Sequence, residues 1–253
     1  MMLHRLLIVV ITALVGYSGI AAAAEGADLL LVLAADVSRS VDYQKFQLQR
    51  EGYAAAMTDP RVIEAIRSGP HGRIAVSFVE WSGFGAQKTV IDWTTISDEA
   101  SARAFGSLIL AAPRSFADRT SISGAIDFSV QQIETAAYSA GRRVIDLSGD
   151  GTNNAGRDVE LARNDAMAKG IVINGLVILS ERPIPWNPEH TNPPGGLANY
   201  YRNHVIGGPG SFVMAAEDFK SFGRALTNKL VAEIAQTLPS HQTALAAQGR
   251  PAR

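Results

Sequence analysis

The sequence predicts a doubly wound α/β domain, built on a mostly parallel six-stranded sheet with one antiparallel edge strand and helices on both faces. Three observations predict it. Apolar runs of strand length alternate with helix-length amphipathic segments along most of the chain, which is the rhythm of βαβ units. Two of the runs, 73–81 and 88–93, are joined by a link too short for a parallel crossover, so they form a hairpin. Polar residues cluster directly after two other runs, where open α/β sheets hold ligands.

The elements follow in order. Residues 1–24 read as a secretory signal peptide: Arg5 supplies the positive start, 6–20 the apolar core, and Ala22-x-Ala24 a small-residue cleavage point. The apolar core is shorter than a membrane-spanning helix requires. Segment 28–35 (DLLLVLAA) is a continuous apolar run and reads as a central strand buried on both faces. A helix is expected over 41–57, stopped by Asp59-Pro60, with a further turn or two over 61–66. Strands follow at 73–81 and 88–93, a helix at 97–110, and a polar loop at 116–120. Ser121 or Ser123 is placed to cap a helix running to about Tyr138. Segment 143–147 is the fourth strand and 157–169 a helix, with Gly170 at its C-cap. Segment 171–179 is the fifth strand. Residues 181–196 hold five prolines and read as a long loop. A short helix at 197–205, a strand at 211–216 and an amphipathic helix at 217–236 complete a domain spanning 25–237. The tail 238–253 reads as disordered.

Bulk properties exclude several functions. The formal net charge is −1 over 253 residues, with no basic run, which argues against nucleic acid and anionic membranes as partners. There is no cysteine, so neither disulfides nor thiolate sites contribute. No second long apolar segment follows the leader, so the expected protein is periplasmic or secreted and makes no stable membrane insertion after cleavage.

The chemistry lies in three segments. Asp36-x-Ser38-x-Ser40 directly follows the first strand, Thr120 precedes a helix, and Asp150-Gly151 directly follows the fourth strand. The topology brings all three to one rim of the sheet. Two carboxylates and three hydroxyls form an oxygen-only set, which suits Mg²⁺, Mn²⁺ or Ca²⁺. With so few negative ligands the ion keeps much of its charge and attracts an external carboxylate. The competing reading of the first segment is a helix N-cap, for which Ser40 is eligible. Thr120 has Ser121 and Ser123 as near competitors.

Other features read more plainly. Asp146-x-Ser148-x-Asp150-Gly151 mimics the start of an EF-hand loop, but Arg157 stands where the twelfth position needs Glu. Thr152-Asn153-Asn154 reads more readily as a solvated loop than as a polar cluster supporting the site, Asp118 and Arg119 as a surface ion pair than as groups that meet the partner or tune the site, and Trp81 as packing than as a ligand platform. His71, His190 and His204 have no ligand spacing and read as structural. Trp186 in the proline-rich loop is a candidate recognition residue or, equally, one that folds back onto the domain.

In this order and placement, the three segments resemble the von Willebrand factor A domain and its metal-ion-dependent adhesion site. The chain is also similar to a group of uncharacterised exported bacterial proteins consisting of this domain alone, notably at 79–83 (VEWSG) and 205–212 (VIGGPGSF). The resemblance implies a Rossmann-like fold. It also implies that Ser38 and Ser40 bind the ion directly, Thr120 does so in a ligand-competent state, and Asp36 and Asp150 act partly through water. A protein partner's Asp or Glu would complete the shell. The expected function is therefore non-enzymatic, metal-dependent protein binding. Two alternatives stand beside it. One is a Mg²⁺-dependent hydrolase such as a phosphoesterase, kept open by Arg39 and Arg119 but lacking any catalytic motif. The other is a metal-independent scaffold.

Overall fold

The computed structural model describes residues 24–179, 184–185 and 187–235. Apart from Ala24, the leader falls outside the described residues, as do the tail 238–253 and Trp186.

The chain opens with β1 (Glu25–Ala27) and then β2 (Leu30–Asp36), buried along its whole length as a strand covered on both faces must be. Helix α1 (Tyr43–Met57) starts two residues later than the pattern suggests, because Asp42 takes the N-cap and accepts the Lys45 N–H at 2.9 Å. Helix α2 (Pro60–Arg67) is capped by Asp59, with proline in its first turn. Strands β3 (Ile74–Trp81) and β4 (Gln87–Ile96) form the expected hairpin, followed by α3 (Glu99–Ala111) behind an Asp98–Ser101 capping box. Helix α4 (Ile122–Glu134) is capped by Ser121, and β5 (Tyr138–Ala140) and β6 (Arg143–Gly149) follow. Helix α5 (Val159–Ala168) ends near Gly170, whose φ of +70° is the left-handed backbone a glycine adopts freely. Then come β7 (Val172–Ile178), the short α6 (Pro188–Thr191) and α7 (Leu197–Tyr200), and a π-helical turn over Tyr201–Val205. Strand β8 (Val213–Ala216) and α8 (Phe222–Ala235) close the domain.

The main sheet has six strands in the order β4-β3-β2-β6-β7-β8. All neighbours run parallel except β4, the antiparallel edge. Alternate residues of β2 feed two cores. Leu31, Leu33 and Ala35 pack in the layer of Tyr53, Phe105, Phe222 and Leu226, while Leu30, Val32 and Ala34 pack with Ile122, Ile126, Ala162 and Tyr201.

Three local expectations differ from the structure. The helix expected to reach Tyr138 ends at Glu134, and 138–140 instead pair in parallel with Glu25–Ala27 as a two-stranded sheet. Three-residue strands are too short for period-two alternation to register. The last helix begins at Phe222, not at 217, because Asp218 and Ser221 first close a turn in which each side chain accepts the other's backbone N–H, at 2.8 and 3.1 Å. The proline-rich stretch contains α6, which has consequences below. Among the described residues no helix is long and apolar enough to cross a membrane.

Candidate functional site

Strands β2 and β6 are neighbours, and the chain goes from β2 to β3 on one side and from β6 to β7 on the other, so their carboxyl ends flank a switch point. Asp36 is the last residue of β2 and Asp150 follows β6 directly. Both are buried, to 0% and 1% exposure. The Ser38 N–H donates to Asp36 Oδ1 at 2.7 Å. Ser38 Oγ lies 3.1 Å from Ser40 Oγ, and Ser40 Oγ donates to Asp150 Oδ1 at 2.5 Å. The loop is fastened from outside: Arg114 Nη2 donates to the carbonyls of Val37 and Ser38 at 2.7 and 2.8 Å.

These contacts dispose of the N-cap reading of Ser40. Asp42 caps α1, and Ser40 spends its hydroxyl on Asp150, 110 residues away. The same accounting separates Thr120 from Ser121, while Ser123 Oγ is buried without a hydrogen-bond partner. Ser121 caps α4 by accepting the Gly124 N–H at 3.2 Å, whereas Thr120 is buried just before the cap with its hydroxyl turned elsewhere.

That hydroxyl meets a residue that the sequence reading assigned to structure alone. His190, on α6, places Nε2 3.2 Å from Thr120 Oγ1, and its Nδ1 lies 3.2 Å from Thr152 Oγ1 and 3.4 Å from Asn154 Nδ2. The ring covers Gly151: a Cβ there would fall 2.3 Å from two of its atoms. Glycine after Asp150 is therefore required by the close approach of the imidazole. The Thr152 N–H donates to the His190 carbonyl at 2.9 Å, which fixes α6 over the site. No spacing in sequence connects residue 190 to residue 120. The available signal was Pro188 at a helix N1 position inside a loop already marked as unusually long.

Thr152-Asn153-Asn154 is likewise not a free loop. Asn154 Oδ1 accepts the Thr120 N–H at 2.9 Å, and the Asn154 N–H donates to the Thr120 carbonyl at 2.9 Å. Asn153 Oδ1 accepts the Ser123 N–H at 3.1 Å. The segment after β6 thus positions the segment before α4. Asp118 binds through its backbone, its carbonyl accepting the Arg39 N–H at 2.8 Å, and Arg119 is exposed. Trp81 is fully buried, as expected of a packing residue.

Electrostatically the site is a buried pair of carboxyls short of compensation. Burial, and then repulsion from Asp150, push the Asp36 carboxyl up to about 8. Burial also raises Asp150, offset in part by the Ser40 hydroxyl and by Lys45. Lys45 Nζ stands 3.7 Å from Asp150 Oδ2 while donating to the Ser40 carbonyl at 2.8 Å. Asp36 Oδ2 and Asp150 Oδ2 are buried without a hydrogen-bond partner. His190 is lowered by burial and so favours the neutral imidazole. A cleft of about 210 Å³ lies at Ser40, Thr120 and His190, lined also by Arg39, Arg119 and Asn154 among others. Among the described residues no three His, Asp or Glu side chains cluster as metal ligands, so any ion here would depend on hydroxyls.

The fold is that of the von Willebrand factor A class. A von Willebrand factor type A structure from Catenulispora acidiphila is similar with a TM-score of 0.56 at 14% identity, over 84% of this chain and 44% of that one. The pilus adhesin SpaC from Lactobacillus rhamnosus GG gives 0.58 at 12% identity, over 83% of this chain and 31% of that one. Proximal thread matrix protein 1 from the mussel byssus, in a structure with a zinc-occupied MIDAS motif, gives 0.53 at 18% identity over 83% and 48%. The chain thus spans about half the length of these proteins or less. Within that fold class the chain belongs to the family described as protein of unknown function DUF1194, whose model matches residues 26–238. No curated protein matches the sequence.

Proposed function

We propose that this protein is an exported, non-enzymatic binding domain that captures a partner's carboxylate through a divalent cation held by Asp36, Ser38, Ser40, Thr120 and Asp150. The observation that carries the reading is the pair of buried oxygens without a hydrogen-bond partner, Asp36 Oδ2 and Asp150 Oδ2, the latter 3.7 Å from Lys45 Nζ, beside three hydroxyls at one rim of the sheet. Two carboxyls held above their ordinary range at a common site are what a divalent ion stabilises in the ionised form. The donor set fits such an ion, because hard cations take carboxylate and hydroxyl oxygens. The mussel thread protein holds zinc at its MIDAS motif within the same fold, which supports the choice of a divalent cation. The exposed guanidinium of Arg39 at the mouth of the cleft suits an acidic partner. The leader 1–24 and the domain 25–237 make the chain periplasmic or secreted in this reading.

Asp150→Ala is expected to abolish Mg²⁺ or Mn²⁺ binding in calorimetry while the fold, followed by circular dichroism, persists. Equal metal affinity in the variant would sink the site assignment. One observation favours a second reading, a metal-independent scaffold: Lys45 already supplies a positive charge 3.7 Å from Asp150. Binding of an acidic peptide that survives EDTA would decide for that reading.

A further inference from the structure

We propose that the bound partner is a protein segment that sets an apolar side chain against Phe84 beside the acidic residue it gives to the site. The inference rests on the binding function proposed above and concerns the chemistry of what is bound. Of the large apolar side chains exposed among the described residues, the two aromatic ones, Tyr43 and Phe84, are also the most exposed, at 75% and 77%. Both stand at the rim that carries the candidate site. Phe84 lies in the turn between β3 and β4, at the carboxyl end of β3, and Tyr43 opens α1 shortly after Ser40. A single exposed aromatic is ordinary; what sets Phe84 apart is how it is held.

Its turn is tied down on every side. The Ser82 N–H donates to the Ala86 carbonyl at 2.9 Å and the Ala86 N–H to the Gly83 carbonyl at 3.1 Å, which also accepts from Gln87 Nε2 at 2.8 Å. The Ser121 N–H, next to Thr120, donates to the Ser82 carbonyl at 2.7 Å. A Cβ at Gly83 would fall 2.8 Å from Asp118 Oδ2, so the turn is pressed against a residue that lines the cleft. Gly156, at φ +80°, brings its backbone beside the ring, where a Cβ would lie 3.5 Å from Phe84 Cδ2. A phenyl ring held in water on a rigid turn has little freedom left to lose on binding, which is how aromatic anchors gain affinity. The same lip carries Arg39 and Arg119, both exposed and without an ion pair among the described residues, against the single acid Asp118. The lip is net positive and suits an acidic segment. The concave cleft of about 210 Å³ beside it fits a side chain, whereas a flat anionic membrane would meet Asp118 and a chain of net charge −1.

Selection of a random peptide display library on the purified protein in MgCl₂ tests this. Enriched peptides are expected to combine Asp or Glu with a large apolar residue a few positions away. The tightest of them, made synthetically, should lose about tenfold or more in affinity for Phe84→Ser. Leu108→Ser, which removes an exposed leucine of α3, should bind it as wild type does. The inference is overturned if no peptide is enriched, if acidic residues are enriched without apolar ones, or if Phe84→Ser binds unchanged. It is equally overturned if the protein sediments with phosphatidylglycerol vesicles through Phe84 and ignores the peptides. Repeating the titration in EDTA separates the two levels. Binding that needs Phe84 but survives EDTA supports the apolar contact and overturns the cation. Binding that EDTA abolishes and Phe84→Ser leaves intact supports the cation and overturns the apolar contact.

Discussion

Glu80, at the end of β3, ties the site's rim to the interior through buried charge. Its Oε1 accepts from Arg50 Nη2, and its Oε2 accepts the Ser115 N–H at 2.7 Å. Arg50 is 2% exposed, lies 4.9 Å from the Phe46 ring and 5.0 Å from the Phe78 ring, and has no hydrogen-bond partner at Nε or Nη1. Removing the carboxylate strands that guanidinium in the core. Glu80→Ala is therefore expected to cost about 3–5 kcal/mol in urea unfolding. The paired replacement Arg50→Met with Glu80→Leu should recover most of it, because an apolar pair of similar volume leaves no charge to desolvate. A single variant as stable as wild type would show that water reaches Arg50. At this scale the sequence was legible where a side chain sits at a strand end. Asp36, Ser38, Ser40 and Asp150 were readable from the polar break after an apolar run. His190 was not, because its place depends on a loop folding back across the sheet edge, and nothing local encodes where such a loop lands.

Helices α1 and α8 meet through glycines. A Cβ at Gly52 would fall 2.6 Å from Phe222 Cδ1 and 3.1 Å from the Gly223 Cα, and one at Gly223 would fall 3.1 Å from the Gly52 Cα. The absent side chains let the helices approach while Tyr53 and Phe222 pack edge-on at 5.2 Å. Gly52→Leu is expected to destabilise by about 1–3 kcal/mol and to speed amide exchange along 222–235, whereas Glu51→Leu on the exposed face should do neither. Unchanged exchange in Gly52→Leu would show that α8 does not depend on this contact. Helix α8 is also anchored by charge. Lys229 Nζ lies 2.8 Å from Asp146 Oδ2 and also pairs with Glu233, whose Oε1 accepts from Asn174 Nδ2 at 2.7 Å, all fully or nearly fully buried. The existence of α8 follows from its amphipathic period, but its anchoring does not. Asp146 alternates with Ser148 and Asp150 in β6, which in sequence imitates a calcium loop, and only the packed helix shows which cation Asp146 meets. Likewise β1 and β5 are too short to carry a pattern, and their pairing exists because the fold places two segment ends side by side.

Across the whole molecule, two carboxyls buried in separate places make stability depend on pH in the same direction. Asp36 is raised from 3.8 to about 8 by burial and by Asp150, and Glu233 is raised from 4.5 to about 8 by burial and by Asp146, with Lys229 opposing. In both, the folded chain holds its proton at pH values where the unfolded chain has released it. The folded state then binds more protons, so stability falls as pH rises. The contribution is fully present below about pH 4 and is lost progressively as pH rises through about 8. A divalent cation should reverse only the Asp36 share, since it adds positive charge beyond that of Lys45 to Asp36 and Asp150 and has no access to Glu233, which is fully buried on α8. In EDTA, the Tm is therefore expected to drop between pH 6 and pH 9. Saturating divalent cation should raise the Tm at pH 9 more than at pH 6. In Asp36→Asn the drop should be smaller and the cation should have little effect, while Glu233→Gln should reduce the drop and leave the response to cation intact. A cation effect that is equal at both pH values in wild type would mean that the ion does not replace a proton on Asp36, and the two carboxylate oxygens without a hydrogen-bond partner would then need a different occupant.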